Sequence, residues 1–169
     1  MTEGAAAGTV RQITSLTNPR VKDIRALSMK KTRDETGQFL GEGLKLVTDA
    51  LDEHWPVDTI AFAPAVRELP HVAKAAATVR ARGGEVLEVS EAVLAKITRR
   101  DNPQMVVGVF RQRLRALADV VVGAGEVWVA LEQVRDPGNL GTIIRTVDSV
   151  GAKGVILVGE TCDPFSFEA

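Results

Sequence analysis

Short apolar segments of two different periods alternate along the chain, and this alternation restricts the fold more than any other feature. Asn18-Pro19 marks a helix start, with asparagine as N-cap and proline at the first helical position, where its missing N–H costs nothing. Val21, Ile24 and Leu27 follow at helical spacing. Gln38 to Gly41 reads as a short strand, Leu44, Val47 and Leu51 as a helix ending before Pro56, and Val57 to Ala63 as a strand. Val72, Ala75, Ala76 and Val79 give a helix closed by Gly83-Gly84. Val86, Leu87 and Val89 read as a strand, Ser90 as the cap of a short helix through Ile97, and Met105 to Phe110 as a last strand. Lys30 to Gly37 carries no apolar residue and reads as a loop. Strands and helices in this alternation predict an α/β sandwich of about 100 residues, a reasonable single domain.

The flanks complete the organisation. Residues 1–12 read as a flexible tail, Ala/Gly-rich and without the apolar core of a secretion signal. Residues 13–113 form the sandwich, and residues 114–125 a linker that ends Gly123-Ala124-Gly125. Residues 126–169 start a second α/β unit: strand Val127 to Leu131, helix Asn139 to Val150, strand Gly154 to Val158. Two parallel strands and one helix are too little to be stable alone, so this second domain is expected to be incomplete at Ala169.

Composition narrows the function classes. No apolar run reaches the length of a membrane-spanning helix. The single cysteine, Cys162, forms no intrachain disulfide and suits a reducing cytoplasm. Two histidines and Cys162 without ligand spacing give no metal site. The net charge of −1 hides an asymmetry. Residues 11–33 carry seven basic side chains against Asp23, and residues 96–115 carry six against Asp101. Charge alone leaves two readings open, a polyanion-binding face or two solvated surfaces. With five Phe, two Trp and no Tyr, recognition by extensive base stacking is disfavoured.

The most informative stretch is Asp136-Pro137-Gly138-Asn139, between a strand and a helix. Pro137-Gly138 makes a tight turn, Asn139 can cap the helix, and Gly141 permits close approach to its first turn. Leu140, Ile143, Ile144, Val147 and Val150 form the buried stripe, and Arg145 sits off it. A turn at the C-terminal end of a parallel strand is where α/β folds place ligands. On the residues alone, Arg145 reads first as a surface ion-pair partner for Asp148, and Asn139 as merely a cap.

Val134-Arg135-Asp136-Pro137-Gly138-Asn139-Leu140-Gly141-Thr142-Ile143-Ile144-Arg145-Thr146, with Val150-Gly151-Ala152 and Gly154 to Leu157, resembles the first signature motif of SpoU-type RNA methyltransferases of the SPOUT (α/β-knot, TrmH-like) superfamily. The resemblance continues through Asp163-Pro164-Phe165-Ser166. Ser15 to Lys22, Arg33 and Gly37-Gln38-Phe39-Leu40-Gly41-Glu42-Gly43 resemble the ribosomal-protein-like substrate-binding domain that precedes the catalytic domain in many members. Glu42-Gly43 is also a plausible helix start in its own right, with Glu favoured by the helix dipole.

The resemblance implies an N-terminal RNA substrate-binding domain followed by the first part of a Rossmann-like SPOUT methyltransferase domain. It implies transfer of a methyl group from S-adenosylmethionine to a ribose 2′-hydroxyl of ribosomal or transfer RNA. Asn139 and Arg145 take the matching catalytic positions, and Arg20, Lys22, Lys30, Lys31 and Arg33 are the expected RNA contacts. The family's cofactor-binding motifs have no counterpart before Ala169, so cofactor-binding residues stay unknown and the chain is expected to be a piece inactive by itself. A cytoplasmic parent that dimerises through the knotted region is the further expectation. Two other classes stay open. One is a non-catalytic RNA-binding module of ribosomal-protein-like fold. The other is a Rossmann-type nucleotide enzyme, weakly signalled because Gly123 and Gly125 precede the strand and Trp128 holds the third glycine's place.

Overall fold

Amphipathic segments become elements where an apolar stripe finds a sheet to cover. The computed structural model describes residues 7–169, and its elements run β1 (Val10–Ile13), α1 (Pro19–Ala26), α2 (Lys30–Thr36), β2 (Gln38–Glu42), α3 (Leu44–Asp52), β3 (Val57–Phe62), α4 (Pro70–Ala81), β4 (Glu85–Val89), α5 (Glu91–Thr98), β5 (Val106–Arg111), β6 (Trp128–Glu132), α6 (Pro137–Ser149) and β7 (Gly154–Val158). Two units meet between Gln112 and Arg113.

In the first unit five strands lie in the order β1-β4-β3-β5-β2. β1, β4 and β3 run parallel, whereas β5 is antiparallel to both β3 and β2. Period-two alternation sends Ile60, Phe62, Val86, Val106 and Phe110 to one face, where Val47 and Leu51 of α3 and Val72, Ala75 and Val79 of α4 close over them. The alternate residues Ala61, Leu87, Val107 and Val109 are buried on the other face. α1 and α5 pack together and bring Val21, Ile24, Val93, Leu94 and Ile97 into the interior. Both faces are thus covered, as parallel strands require.

Caps follow the sequence closely. Asn18 Oδ1 accepts from Arg20 N–H at 2.9 Å and Ser90 Oγ from Val93 N–H at 3.3 Å. Two expectations are corrected. Val10 to Gln12, read as tail, belong to edge strand β1, whose three exposed residues hid it from pattern reading. The expected flexibility of residues 1–6 lies outside the described residues. Lys30 to Thr36, read as a loop, is α2, closed by Gly37 at φ +64°. No apolar stripe drives it. Lys30–Asp34 and Lys31–Glu35 ion pairs brace its outer face at i,i+4 spacing. Arg33 turns inward, 4% exposed, and donates to the Leu27 and Ser28 carbonyls at 2.9 and 3.0 Å.

A second charged residue is structural in the same sense. Glu85 opens β4 and accepts from Arg20 Nε at 2.6 Å and from Arg11, while Arg20 Nη2 also donates to Thr59 Oγ1 at 2.9 Å. Burial alone would raise the Glu85 carboxyl, but the hydrogen bonds and charges of Arg20 and Arg11 outweigh it and hold the group below the usual glutamate range.

The second unit pairs β6 and β7 in parallel, Trp128 opposite Gly154 through Glu132 opposite Val158. α6 lies against β7 and buries Leu140 completely. Residues 114–125 contain one short 3₁₀ turn, Leu117–Asp119.

Two outcomes follow. Arg33→Ala should cost about 2–3 kcal/mol of stability, because one buried and one half-buried carbonyl lose a donor, while Lys30→Ala and Lys31→Ala stay within about 0.5 kcal/mol. Urea unfolding of the three variants checks this, and equal midpoints would remove Arg33 from the structural core. Because the Glu85 carboxyl is depressed in the folded state, its contribution is full above the unfolded glutamate value of about 4.3 and fades as pH falls through the folded value. The urea midpoint should therefore drop below about pH 4.3 less steeply in Glu85→Gln than in the parent chain. Parallel pH profiles would contradict the assignment.

Candidate functional site

The turn leaving β6 is built from a local cap and from two backbone bonds to the segment at and after the end of β7. Asp136, not Asn139, is the N-cap of α6: its Oδ1 accepts from Asn139 N–H at 2.6 Å, and Pro137 takes the first helical position. This corrects the expected capping role of Asn139, whose exposed side chain points away from that duty. The preceding Gln133 adopts a left-handed backbone, φ +54°, and donates its N–H to Val158 O at 3.1 Å. Cys162 N–H donates to Val134 O at 2.7 Å. The loops after β6 and β7 are thereby stitched together at the C-terminal end of both strands, the ligand end of an α/β sheet. Burial, with Asp136 and Asp163 nearby, pushes the Cys162 thiol up, so it stays protonated.

Arg145 is exposed, and its partner is Thr142, not Asp148. Nη2 donates to Thr142 Oγ1 at 3.2 Å, and that hydroxyl donates to the Gly138 carbonyl at 2.9 Å. Residues 139 and 145 lie six positions apart, about 120° around the helix, so their Cα–Cβ bonds diverge. The bond to Thr142 draws the guanidinium back about one turn toward the start of α6. Thr142 was not singled out in the sequence, although its i,i+3 spacing from Arg145 was the available signal. Glu132 is exposed at the end of β6 and makes no contact with Arg145 among the described residues. A Cβ on Gly141 would strike the Ala169 carbonyl.

The expected RNA contacts lie in the first unit and are dispersed by role. Arg33 is buried, and Arg20 is held by Glu85 and Thr59. Lys30 and Lys31 stay exposed but each is paired along α2. Lys22 is exposed with no acidic partner among the described residues, as are Arg25 and Arg99. Among those residues no group of three His, Cys, Asp or Glu could hold a metal, and no helix is long and apolar enough to cross a membrane.

Comparison with known proteins covers both units. Residues 18–108 match the MRM3-like substrate binding domain, and residues 126–169 match the SpoU rRNA Methylase family. The chain is 34% identical over 157 residues to the 23S rRNA (guanosine(2553)-2'-O)-methyltransferase RlmP of Bacillus subtilis, covering 93% of this chain and 58% of that protein. It superimposes on the crystal structure of an rRNA methyltransferase from Sinorhizobium meliloti with TM-score 0.89 at 61% identity, covering 95% of this chain and 60% of that one. The SpoU methyltransferase AviRb from Streptomyces viridochromogenes, solved in complex with AdoMet, aligns with TM-score 0.78 at 26% identity, over 89% and 57% of the two chains. The chain thus spans about three-fifths of the length of these relatives. An MRM3-like substrate binding domain followed by SpoU sequence places the chain in the SpoU rRNA methylase family.

Proposed function

We propose that the protein to which this chain belongs transfers a methyl group from S-adenosylmethionine to a ribose 2′-hydroxyl of ribosomal or transfer RNA. The observation that carries the reading is the Gly138–Thr142–Arg145 hydrogen-bond chain, which ties an exposed guanidinium back to the first turn of α6, the helix that starts at the ligand end of the sheet. The relatives named as ribose methyltransferases match across both units, which disfavours a purely binding role.

S-adenosylmethionine supplies, when bound, a methyl group on a positively charged sulfur. Asn139 and Arg145 are both exposed among the described residues, and no residue of this chain is assigned to holding the donor. What Arg145 does is set by its chemistry. A guanidinium stays charged at every working pH and is a poor proton acceptor. It holds a phosphate through two directed hydrogen bonds and stabilises the negative charge that grows on the ribose oxygen. Asn139 offers an amide donor and acceptor to orient the same ribose. Lys22 and Arg25 are the exposed cations of α1 that steer RNA to the first unit, with Lys30 and Lys31 as weaker contributors. A cytoplasmic homodimer is part of the same proposal.

In the full-length protein, Arg145→Ala and Arg145→Lys should both lose most single-turnover methyl transfer, since lysine keeps the charge but not the fork. Neither should cost more than about 1 kcal/mol in thermal unfolding, as for ordinary surface substitutions. An alanine variant with near-normal rate would reduce Arg145 to a surface residue, and one that unfolds would make it structural.

A further inference from the structure

Glu42 is a buried carboxylate that neither the core nor the methyl-transfer reading uses. Its side chain is 6% exposed at the end of β2. Leaving such a group in the interior is costly unless its charge is paired and its oxygens are hydrogen-bonded. Both conditions are met by one loop: Oε1 accepts from Gln104 N–H at 2.6 Å, and Oε2 pairs with Arg100 Nε at 3.2 Å. The loop is the segment from Arg99 to Met105 that joins α5 to β5. Its far end is pinned on two sides, by Gly43 N–H to Val106 O at 2.8 Å and Ala63 N–H to Met105 O at 3.0 Å. Gly43 itself, at φ +112°, lies so close that a Cβ there would come within 2.7 Å of Gln104 Oε1.

This fixed loop presents polar side chains outward. Arg99 adopts a left-handed backbone, φ +57°, with its side chain exposed and no acidic partner among the described residues. Arg100 remains 56% exposed while paired through Nε, and Asn102 is exposed. A strained non-glycine backbone held by its surroundings is a frequent mark of a ligand-contacting segment. Guanidiniums for phosphates and amides for the edges of unstacked bases are the groups that suit looped RNA.

The geometry points to Glu42 as a positioning residue that holds the Arg99–Met105 loop in the shape that contacts looped RNA. The inference rests on the RNA-methylation reading for the class of ligand. Its test separates positioning from plain electrostatics, because the two predict opposite signs. Glu42→Gln removes a negative charge beside the loop, so electrostatics alone would tighten RNA binding. Loss of the Arg100 pair loosens the loop and should weaken it instead.

The experiment titrates a fluorescein-labelled RNA stem-loop with the 169-residue chain at several salt concentrations. Glu42→Gln should weaken binding by roughly threefold or more, as expected when a contact loop loses its support. Arg99→Ala should weaken binding and lower the salt slope by about one phosphate contact. Arg80→Ala, which removes an exposed cation from the last turn of α4, should change neither. Circular dichroism checks folding. Should Glu42→Gln unfold, Arg99→Ala and Asn102→Ala decide alone, since both remove exposed side chains. Equal or tighter binding by folded Glu42→Gln, Arg99→Ala indistinguishable from Arg80→Ala, or no binding by the parent chain would each overturn the inference. The methylation reading is judged separately by the Arg145 variants.

Discussion

The first unit depends on β5 more than on any other element. Five of its six residues are buried, and it runs antiparallel between β3 and β2, turning a parallel three-stranded sheet into a mixed one. Its Phe110 ring fills space that only glycines leave open. Gly41 and Gly108 face each other across the β2–β5 ladder, and a Cβ on either would come within 2.8 Å of that ring. Phe39 stacks on it at 5.2 Å between ring centres. Removing a buried aromatic of this kind generally costs about 3–5 kcal/mol, a large share of a domain's net stability. The strand also sets what lies at its ends: the Arg99–Met105 loop before it, and its own last residue Arg111, whose carbonyl accepts from Trp55 Nε1 at 2.8 Å.

Positive charge in this protein is largely a local matter. Counting residues gives two basic segments, but folding spends several of those cations on nearby oxygens. Arg11 and Arg20 converge on Glu85, Lys30 and Lys31 pair along α2, Arg100 meets Glu42, and Arg111 meets Asp58 at 2.9 Å. The exposed lysine pairs along α2 add little stability each, yet they cancel field at the surface. What remains unpaired among the described residues includes Lys22 and Arg25 on α1, and Lys96 and Arg99 on and beside α5. α1 and α5 pack against each other. Net charge by segment therefore counts together cations that folding buries or pairs and cations, such as Lys22 and Arg25, that it leaves exposed.

Most of the secondary structure was legible because it rests on periodic burial. The stripe Val21, Ile24 and the stripe Val72, Ala75, Val79 became buried helix faces, and Gly154–Val158 became β7 as read. β1 and α2 escaped for one physical reason. Neither buries an apolar stripe: β1 hides only Ile13, and α2 only the guanidinium-bearing Arg33. An edge strand held by a neighbour's backbone, and a helix braced by ion pairs, leave no hydrophobic trace for a period to reveal. The left-handed backbones of His54, Arg99 and Gln133 left none either, since these residue types carry no glycine signal.

The candidate sites differ in how they are encoded, and that difference explains which was readable. Along the start of α6 the side-chain hydrogen bonds span three or four residues: Asp136 to Asn139, Thr142 to Gly138, Arg145 to Thr142. Ten consecutive residues specify the geometry, so a contiguous motif carries nearly all of its information. The loop held by Glu42 is the reverse case. Gln104 reaches across 62 positions of sequence to its acceptor, and the pairing exists only because β2 and β5 lie side by side in register. A glutamate followed by glycine before a helix looks the same in sequence whether it faces water or locks a distant loop. Only the folded sheet brings Arg100 and Gln104 within reach of one carboxylate, and only then does Glu42 cease to look like an ordinary helix start.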